Sequence, residues 1–389
     1  MEPSNGIVTT TNGRHTLELF AMAAAVCLAL AGPRAVAHDA KAGQPGPDPK
    51  LYQTTVDRAI AFLTSRQSPE GALSPQLGIG PTALYALGLL RAGRSPSDPQ
   101  VAKSLAFLEE ASQETGGIHM PGGRIPNYET CVALLCFKEA NRGGRYDKII
   151  KNAENFLREG QADERKGKER SDVAYGGMGY GGRTRPDLSN TAYLLDALKA
   201  CGATVDDPAV QKALAFASRC QNLESEHNTT KYASKVNDGG FFYTPVLSKQ
   251  DESRQTPGGG LRSYGSMTYS GLKSMVYAGL TKDDPRVKAA LQWIRKNYDL
   301  KSNPGMGEAG LYYYYHTFAK ALDVLGQDEI EDAKGVKHDW RRELTEELAR
   351  RQKANGSWVN ANTQWMEGDP NLATAFALLA LTHCRPAAR

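Results

Sequence analysis

The residues best suited to chemistry in this 389-residue chain stand just before recurrent apolar segments. His316 ends the run LYYYYH from Leu311 and precedes Thr317. An imidazole there is fit to act as a base or as a hydrogen-bonding platform. The alternative is a histidine donating to a loop carbonyl, beside tyrosines packed under long loops. Four consecutive tyrosines cannot all face one way on a regular backbone, so one or two of them, with Tyr312 and Tyr315 the candidates, point toward a ligand. Glu129 and Asn190 hold the same place before Thr130 and Thr191, and Asp187 lies one helical turn before Thr191. Lys320 falls in an otherwise apolar segment, where an isolated buried ammonium is costly and calls for a carboxylate, Asp187 or Glu129. Arg183 and Lys320 are candidate clamps for an anionic substrate, and Trp365 is a candidate platform for a ring-shaped ligand.

Other chemistries lack their signatures. There is no CxxC, no HExxH and no nucleophile elbow, so no metal site and no cofactor is expected. The stretch GGMGYGG from Gly176 fits no dinucleotide fingerprint, because no strand pattern precedes it. With 47 Lys and Arg against 43 Asp and Glu and no long basic run, nucleic acid is not the expected partner.

Two kinds of segment must position these residues. One begins near Thr and is apolar nearly all round: TALYALGLLRAG from Thr82, TCVALLCFKEAN from Thr130, TAYLLDALKACG from Thr191, TYSGLKSMVYAGL from Thr268, TFAKALDVLG from Thr317 and TAFALLALTHC from Thr374. The other is amphipathic, as in DPQVAKSLAFLEE from Asp98, DPAVQKALAFASRCQ from Asp207 and DPRVKAALQWIRKN from Asp284. Asp-Pro supplies an N-cap followed by a first-turn proline. Val287, Ala290, Leu291 and Ile294 recur at helical spacing along one stripe. Buried helices alternating with one-faced helices predict an all-α protein, an α6/α6 toroid in which amphipathic helices surround the apolar ones. Closing the array avoids the exposed apolar ends of an open solenoid. Short connections lead out of each apolar segment, while long Gly-rich ones lead into it, so the long loops gather at one end. That end is where a site is expected.

A Gln- or Asn-containing step with glycine follows amphipathic segments: RQSPEGAL from Arg66, SQETGGI from Ser112, KVNDGGFF from Lys235 and RQKANGSW from Arg351. With NTAYLLDAL from Asn190 and the triplet Tyr315-His316-Thr317, this resembles the repeat of the squalene-cyclase and protein-prenyltransferase superfamily, over about residues 52–385. The resemblance implies the toroid and a cavity for an isoprenoid. It also implies sites that are incomplete here. Cyclases of this kind protonate an alkene with a DxDDT motif, whose positions here are Asp187, Ser189, Asn190 and Thr191. Ser and Asn cannot protonate a carbon–carbon double bond. The prenyltransferase zinc histidine matches His316, but its Asp and Cys partners fall on Ser266, Met267 and Thr268. The GCGEQ of thioester-bearing relatives is absent.

Residues 20–31 form an apolar stretch too short to span a bilayer, followed by Ala35-Val36-Ala37. This layout predicts a signal peptide over 1–37, cut after Ala37, then a Pro/Gly-rich linker over 38–50 and the repeat domain over 51–389. Export to a periplasmic or extracellular space is the expectation, with no membrane span left after cleavage. The five remaining cysteines read as small buried thiols. Two function classes follow. One is a toroid that binds a hydrophobic or glycan small molecule, or a protein partner of unknown identity, without chemistry. The other is an enzyme, for instance of polysaccharide-lyase type, with Asn190 neutralising a uronate and His316 or a tyrosine moving the proton.

Overall fold

The computed structural model describes residues 46–182, 184–248 and 255–386, so the expected signal peptide lies outside the described residues. Each amphipathic segment forms a helix with one buried stripe: α1 (Pro49–Arg66), α3 (Pro99–Glu110), α5 (Asp147–Gly160), α7 (Pro208–Arg219), α10 (Pro285–Lys296) and α12 (Trp340–Arg351). The Asp207 and Asp284 carboxylates accept backbone N–H bonds from Ala209 and Arg286, as an Asp-Pro N-cap should, whereas the Asp98 side chain makes no capping bond. The apolar segments form α2 (Gly80–Arg91), α4 (Pro126–Ala140), α6 (Leu188–Ala200), α9 (Gly265–Tyr277), α11 (Leu311–Leu325) and α13 (Pro370–Thr382), nearly all of whose residues are buried. A short helix, α8 (Ala233–Val236), lies in the α7–α9 connection. Between α11 and α12 a hairpin pairs β1 (Glu329–Glu331) with β2 (Lys337–Asp339), Ile330 opposite His338.

The buried helices pack in chain order, α2 on α4, then α6, α9, α11 and α13, and α13 packs back on α2. The amphipathic helices cover them: α3 lies on α2 and α4, α5 on α4 and α6, α7 on α6 and α9, and α1 on α12 and α13.

The glutamine–glycine step has a physical purpose at the turn between the two sets. Gln161 donates to the carbonyls of Gly176 (2.8 Å) and Ala209 (2.9 Å), tying the end of α5 to its own turn and to α7. Gln67 does the same with Gly71 and Gln100, Gln221 with Gly239 and Arg286, and Gln352 with Gly356 and Thr55. The last joins the end of the domain to its beginning. Gly176 has φ +81°, and a Cβ on it would stand 1.8 Å from the Lys212 carbonyl oxygen. No side chain fits there.

The recurrent threonine is the second half of the device. Hydroxyls of Thr82, Thr130, Thr191, Thr268 and Thr374 accept from the backbone N–H of Leu73, Ile118, Met178, Phe241 and Trp358, at 2.8 to 3.1 Å. In α11 the register differs from the sequence expectation. Thr317 bonds within its own helix, to the Tyr314 carbonyl, and the groups reaching the preceding loop are the hydroxyls of Tyr314 and Tyr315, which donate to the carbonyls of Asp299 (2.7 Å) and Leu300 (2.6 Å).

Cys131, Cys136, Cys220 and Cys384 are buried free thiols and Cys201 is half-buried. Among the described residues no helix is long and apolar enough to cross a membrane, and no group of His, Cys, Asp and Glu is placed to hold a metal ion.

The staple carries a measurable share of stability. Gln161→Ala removes a donor from two buried carbonyls, that of Gly176 and that of Ala209, and should lower the unfolding free energy by about 1–3 kcal/mol. The reading is an earlier urea midpoint at unchanged slope. A midpoint equal to that of the parent would show that the staple contributes nothing.

Candidate functional site

The starts of the buried helices surround a cavity of about 290 Å³. Its wall is aromatic: Tyr128 from α4, Tyr193 from α6, Tyr313 from α11 and Phe376 from α13, joined by loop residues Tyr180, Tyr243, Tyr264 and Trp365. The register that positions them follows from the clamp. Tyr128, Ser189, Ser266 and Leu372 each lie two residues before the clamping threonine of their helix, and Tyr313 lies two before Tyr315. Tyr193 and Phe376 lie two residues after it, one turn further along the same face. Tyr193 meets Tyr128 edge-on with centroids 5.1 Å apart and stacks on Tyr313 at 6.5 Å. Burial pushes the hydroxyls of Tyr128, Tyr193, Tyr243 and Tyr313 well above the ordinary phenol range, so they are neutral donors at any physiological pH.

Ser189 occupies one of the positions that the resemblance gives to a carboxylate. It lines the cavity, with its hydroxyl 2.8 Å from that of Tyr313. Asn190 turns away and donates its amide to Asp187 Oδ2 (2.7 Å), while its backbone N–H donates to Asp187 Oδ1 (2.8 Å). Asp187 therefore caps α6, and Tyr243 also hydrogen-bonds its carboxylate. Burial raises Asp187 to about 6 against the lowering effect of these donors.

Glu129 is buried beside the cavity rather than in its wall. Its Oε1 accepts from the Ile79 N–H (2.7 Å) and its Oε2 from that of Met120 (3.2 Å). Burial raises its carboxyl above the usual range despite both bonds. Glu367 does line the cavity. It accepts from the N–H groups of Tyr312 (3.2 Å) and Tyr313 (2.8 Å) and from the Asn360 amide (2.8 Å), and burial raises it as well.

His316 and Lys320 face a different, smaller space below the aromatic cavity. Burial, and then the neighbouring Lys320 charge, hold His316 well below the usual imidazole range, so its ring is neutral. The carboxylate partner of Lys320 is neither Asp187 nor Glu129 but Asp196, 2.7 Å away, and Asp196 is shared with Lys273 at 2.6 Å. Tyr312 and Tyr315 pack against each other away from the aromatic cavity, with centroids 5.9 Å apart. Trp365 lines the cavity with φ +56°, and Met366 follows at φ +65°. Arg183 lies outside the described residues. The aromatic wall was legible only in part, since Tyr180, Tyr243 and Tyr264 come from long loops without a repeat register. Asp196 and Lys273 carried a visible signal, each being a charge inside an apolar segment.

No protein-family model matches the chain, and no curated protein matches it in sequence. In three dimensions it is similar to the type II terpene cyclase MstE from Scytonema, at 13% identity and a TM-score of 0.51, over 86% of this chain and 98% of the cyclase. A variant of that cyclase in complex with its substrate, geranylgeranyl dihydroxybenzoate, matches at 12% identity and a TM-score of 0.52, over 87% and 98%. The chain thus has a terpenoid-cyclase-like fold.

The capping carboxyl gives a pH signature. Asp187 sits near 6 in the fold and near 3.9 in an unfolded chain, so the native state binds more protons between those values. Its stabilising contribution is complete below about pH 4 and is lost as pH rises through about 6. Asp187→Asn keeps an oxygen for the cap, and the Asn190 amide, whose Oδ1 has no partner, can turn to meet the new N–H₂. The difference in unfolding free energy between pH 4.5 and 7 should therefore shift by on the order of 2 kcal/mol in this variant. Denaturant titrations at the two pH values check it, and an unchanged difference would place the titration elsewhere.

Proposed function

We propose that this chain is an α6/α6 toroid whose aromatic cavity binds a hydrophobic isoprenoid-type ligand, without the alkene protonation that starts cyclisation in relatives with a complete acid motif. The observation that carries the reading is an aromatic wall together with Ser189, hydrogen-bonded to Tyr313, and Asn190 at the two positions where a carboxylate pair would stand. The cyclic packing of the buried helices, α13 returning to α2, supports the toroid. Long loops leading into the buried helices, and contributing Tyr180, Tyr243, Tyr264 and Trp365 to the cavity, support placing the site at that end. Export through the apolar segment at 20–31 belongs to the same reading and rests on that segment and the Ala35-Val36-Ala37 pattern.

Tyrosine faces suit polyene chains. Each ring offers apolar area, worth about 25 cal/mol per Å² of surface taken from water, and a π-face that polarises against double bonds. Hydroxyls such as that of Tyr313, bonded to Ser189, satisfy one another and leave the ligand an apolar surface. The glycan alternative has less support. Asn190, which would neutralise a uronate, spends its amide on Asp187, and His316 faces another space.

The test is a titration with geranylgeraniol, followed by quenching of Trp365 fluorescence and by calorimetry. One saturable site is expected, weakened about tenfold or more, or 1.4 kcal/mol, by Tyr193→Ala or Phe376→Ala. The prenyl compound should be recovered unchanged after prolonged incubation. Absence of saturable binding would overturn the ligand assignment, and a cyclised product would overturn the assignment as a binder.

A further inference from the structure

Below the aromatic cavity, behind the stacked pair Tyr193 and Tyr313, lies a small enclosed space of about 10 Å³. That is room for one particle of about the size of a water molecule. Asp196 of α6, Lys273 of α9 and Lys320 of α11 line it, and each is 5–6% exposed. Lys273 Nζ stands 2.6 Å from Asp196 Oδ1 and Lys320 Nζ 2.7 Å from Oδ2. A single carboxylate thus lies between two lysines, and the sum over the three is one positive charge while both amines are protonated, a state that burial resists and a neighbouring anion would favour.

The surroundings do not supply the missing negative charge. His316, also in the wall, is neutral. The nearby Cys131 thiol is held protonated by its burial. Arg91 and His383, the other titratable groups acting on His316, are basic. A net charge among buried side chains is costly unless a counter-charge lies beside it.

The polar atoms of the wall point the same way. Apart from the Asp196 carboxylate, already engaged by both lysines, the charged groups here are donors. The His316 Nδ1 has no hydrogen-bond partner and its residue is 4% exposed, while the hydroxyl of Tyr193, 5% exposed, meets Tyr128. Lys273 spends a second N–H on the Ala192 carbonyl at 3.4 Å, and Lys320 keeps N–H groups to offer. A neutral imidazole can carry its proton on Nδ1 and donate it.

From this donor set we infer a binding site for one small monovalent inorganic anion of halide size, between Lys273 and Lys320, with Tyr193 and His316 completing its shell. Sulfate and phosphate are too large for the space. Tyr193 and Tyr313 separate the site from the aromatic cavity above and line both.

Thermal unfolding of the full chain in sodium bromide, sodium chloride and sodium gluconate, at matched sodium concentration, tests it. Bromide and chloride should raise Tm saturably by about 2 °C or more over gluconate, which cannot enter. Crystals grown in bromide should show an anomalous peak between the two lysine Nζ atoms. In Lys320→Met the two charges left cancel, and the halide dependence of Tm should vanish. Should that variant fail to fold, the bromide peak in the parent protein decides alone. Equal Tm in all three salts with no peak between the lysines would overturn the site, and would mean that the lysines share one proton fewer than assigned.

Discussion

The chain must turn, six times over, from a covering helix into a buried one without leaving backbone polar groups stranded between the two layers. Each buried N–H or C=O left unpaired costs on the order of 1–3 kcal/mol, so several such turns would cancel the stability of an ordinary domain. The solution is a three-part clamp. At four of the six turns a glutamine gives its amide to two carbonyls, one in the turn and one in the next covering helix. A glycine lets the turn pass so close that a Cβ would overlap a neighbouring carbonyl, as at Gly71, Gly176 and Gly356. A threonine hydroxyl then takes the N–H of the residue entering the layer. Because the clamp fixes where along the buried helix the chain arrives, it also fixes which residues face the cavity.

That register explains what could be read from the sequence and what could not. The alternation of apolar and one-faced helices, the Asp-Pro caps and the burial of the thiols follow from residue pattern alone. The cavity face is a finer matter. Glu129 and Asn190 stand one residue before the clamping threonine, and one residue is a rotation of about 100° around a helix. They face neighbouring loops, while Tyr128 and Ser189, one position earlier, face the aromatic cavity. In α11 the offset is larger. The YHT triplet suggests Thr317 as the clamp, whereas the hydroxyls of Tyr314 and Tyr315 make the loop contacts, so His316 falls just after the clamp and not just before it. No reading of residue types distinguishes these registers without the loop that the hydroxyl meets.

With Tyr315 as the reference, the buried charges also come into line. Asp196 follows Thr191 by five residues, Lys273 follows Thr268 by five, and Lys320 follows Tyr315 by five. Three consecutive buried helices thus place a charge at one level, where the corresponding residues of the other three, Leu87, Leu135 and Leu379, are apolar. The carboxylate is on α6 and the lysines are on α9 and α11, so the cluster ties α6 to both helices that follow it. Burial alone would raise Asp196, but the two ammonium groups outweigh it and hold the carboxylate ionised. Lys320 is held down to about 7 by its burial, with Asp196 acting in the other direction. Such a cluster is a poor way to gain stability compared with leucines of similar volume. Its placement at a single level directly under the aromatic cavity points to recognition of charge rather than to packing.

The carboxyl groups nearest the cavity make the complementary point. Glu129 holds the N–H groups of Ile79 and Met120, Asp187 that of Asn190, and Glu367 those of Tyr312 and Tyr313. Each anchors the entry of a chain segment into the buried layer, and each is raised by burial while being pulled back toward ionisation by the donors it holds. An acid strong enough to protonate an alkene needs the opposite arrangement, a proton exposed to the substrate and a conjugate base stabilised only after the proton has left. Here the oxygens are already committed to backbone N–H groups, which favour the carboxylate before any substrate is present. The aromatic wall is thus combined with carboxyls that hold the backbone entering the buried layer, and Ser189, hydrogen-bonded to Tyr313, keeps that part of the wall neutral.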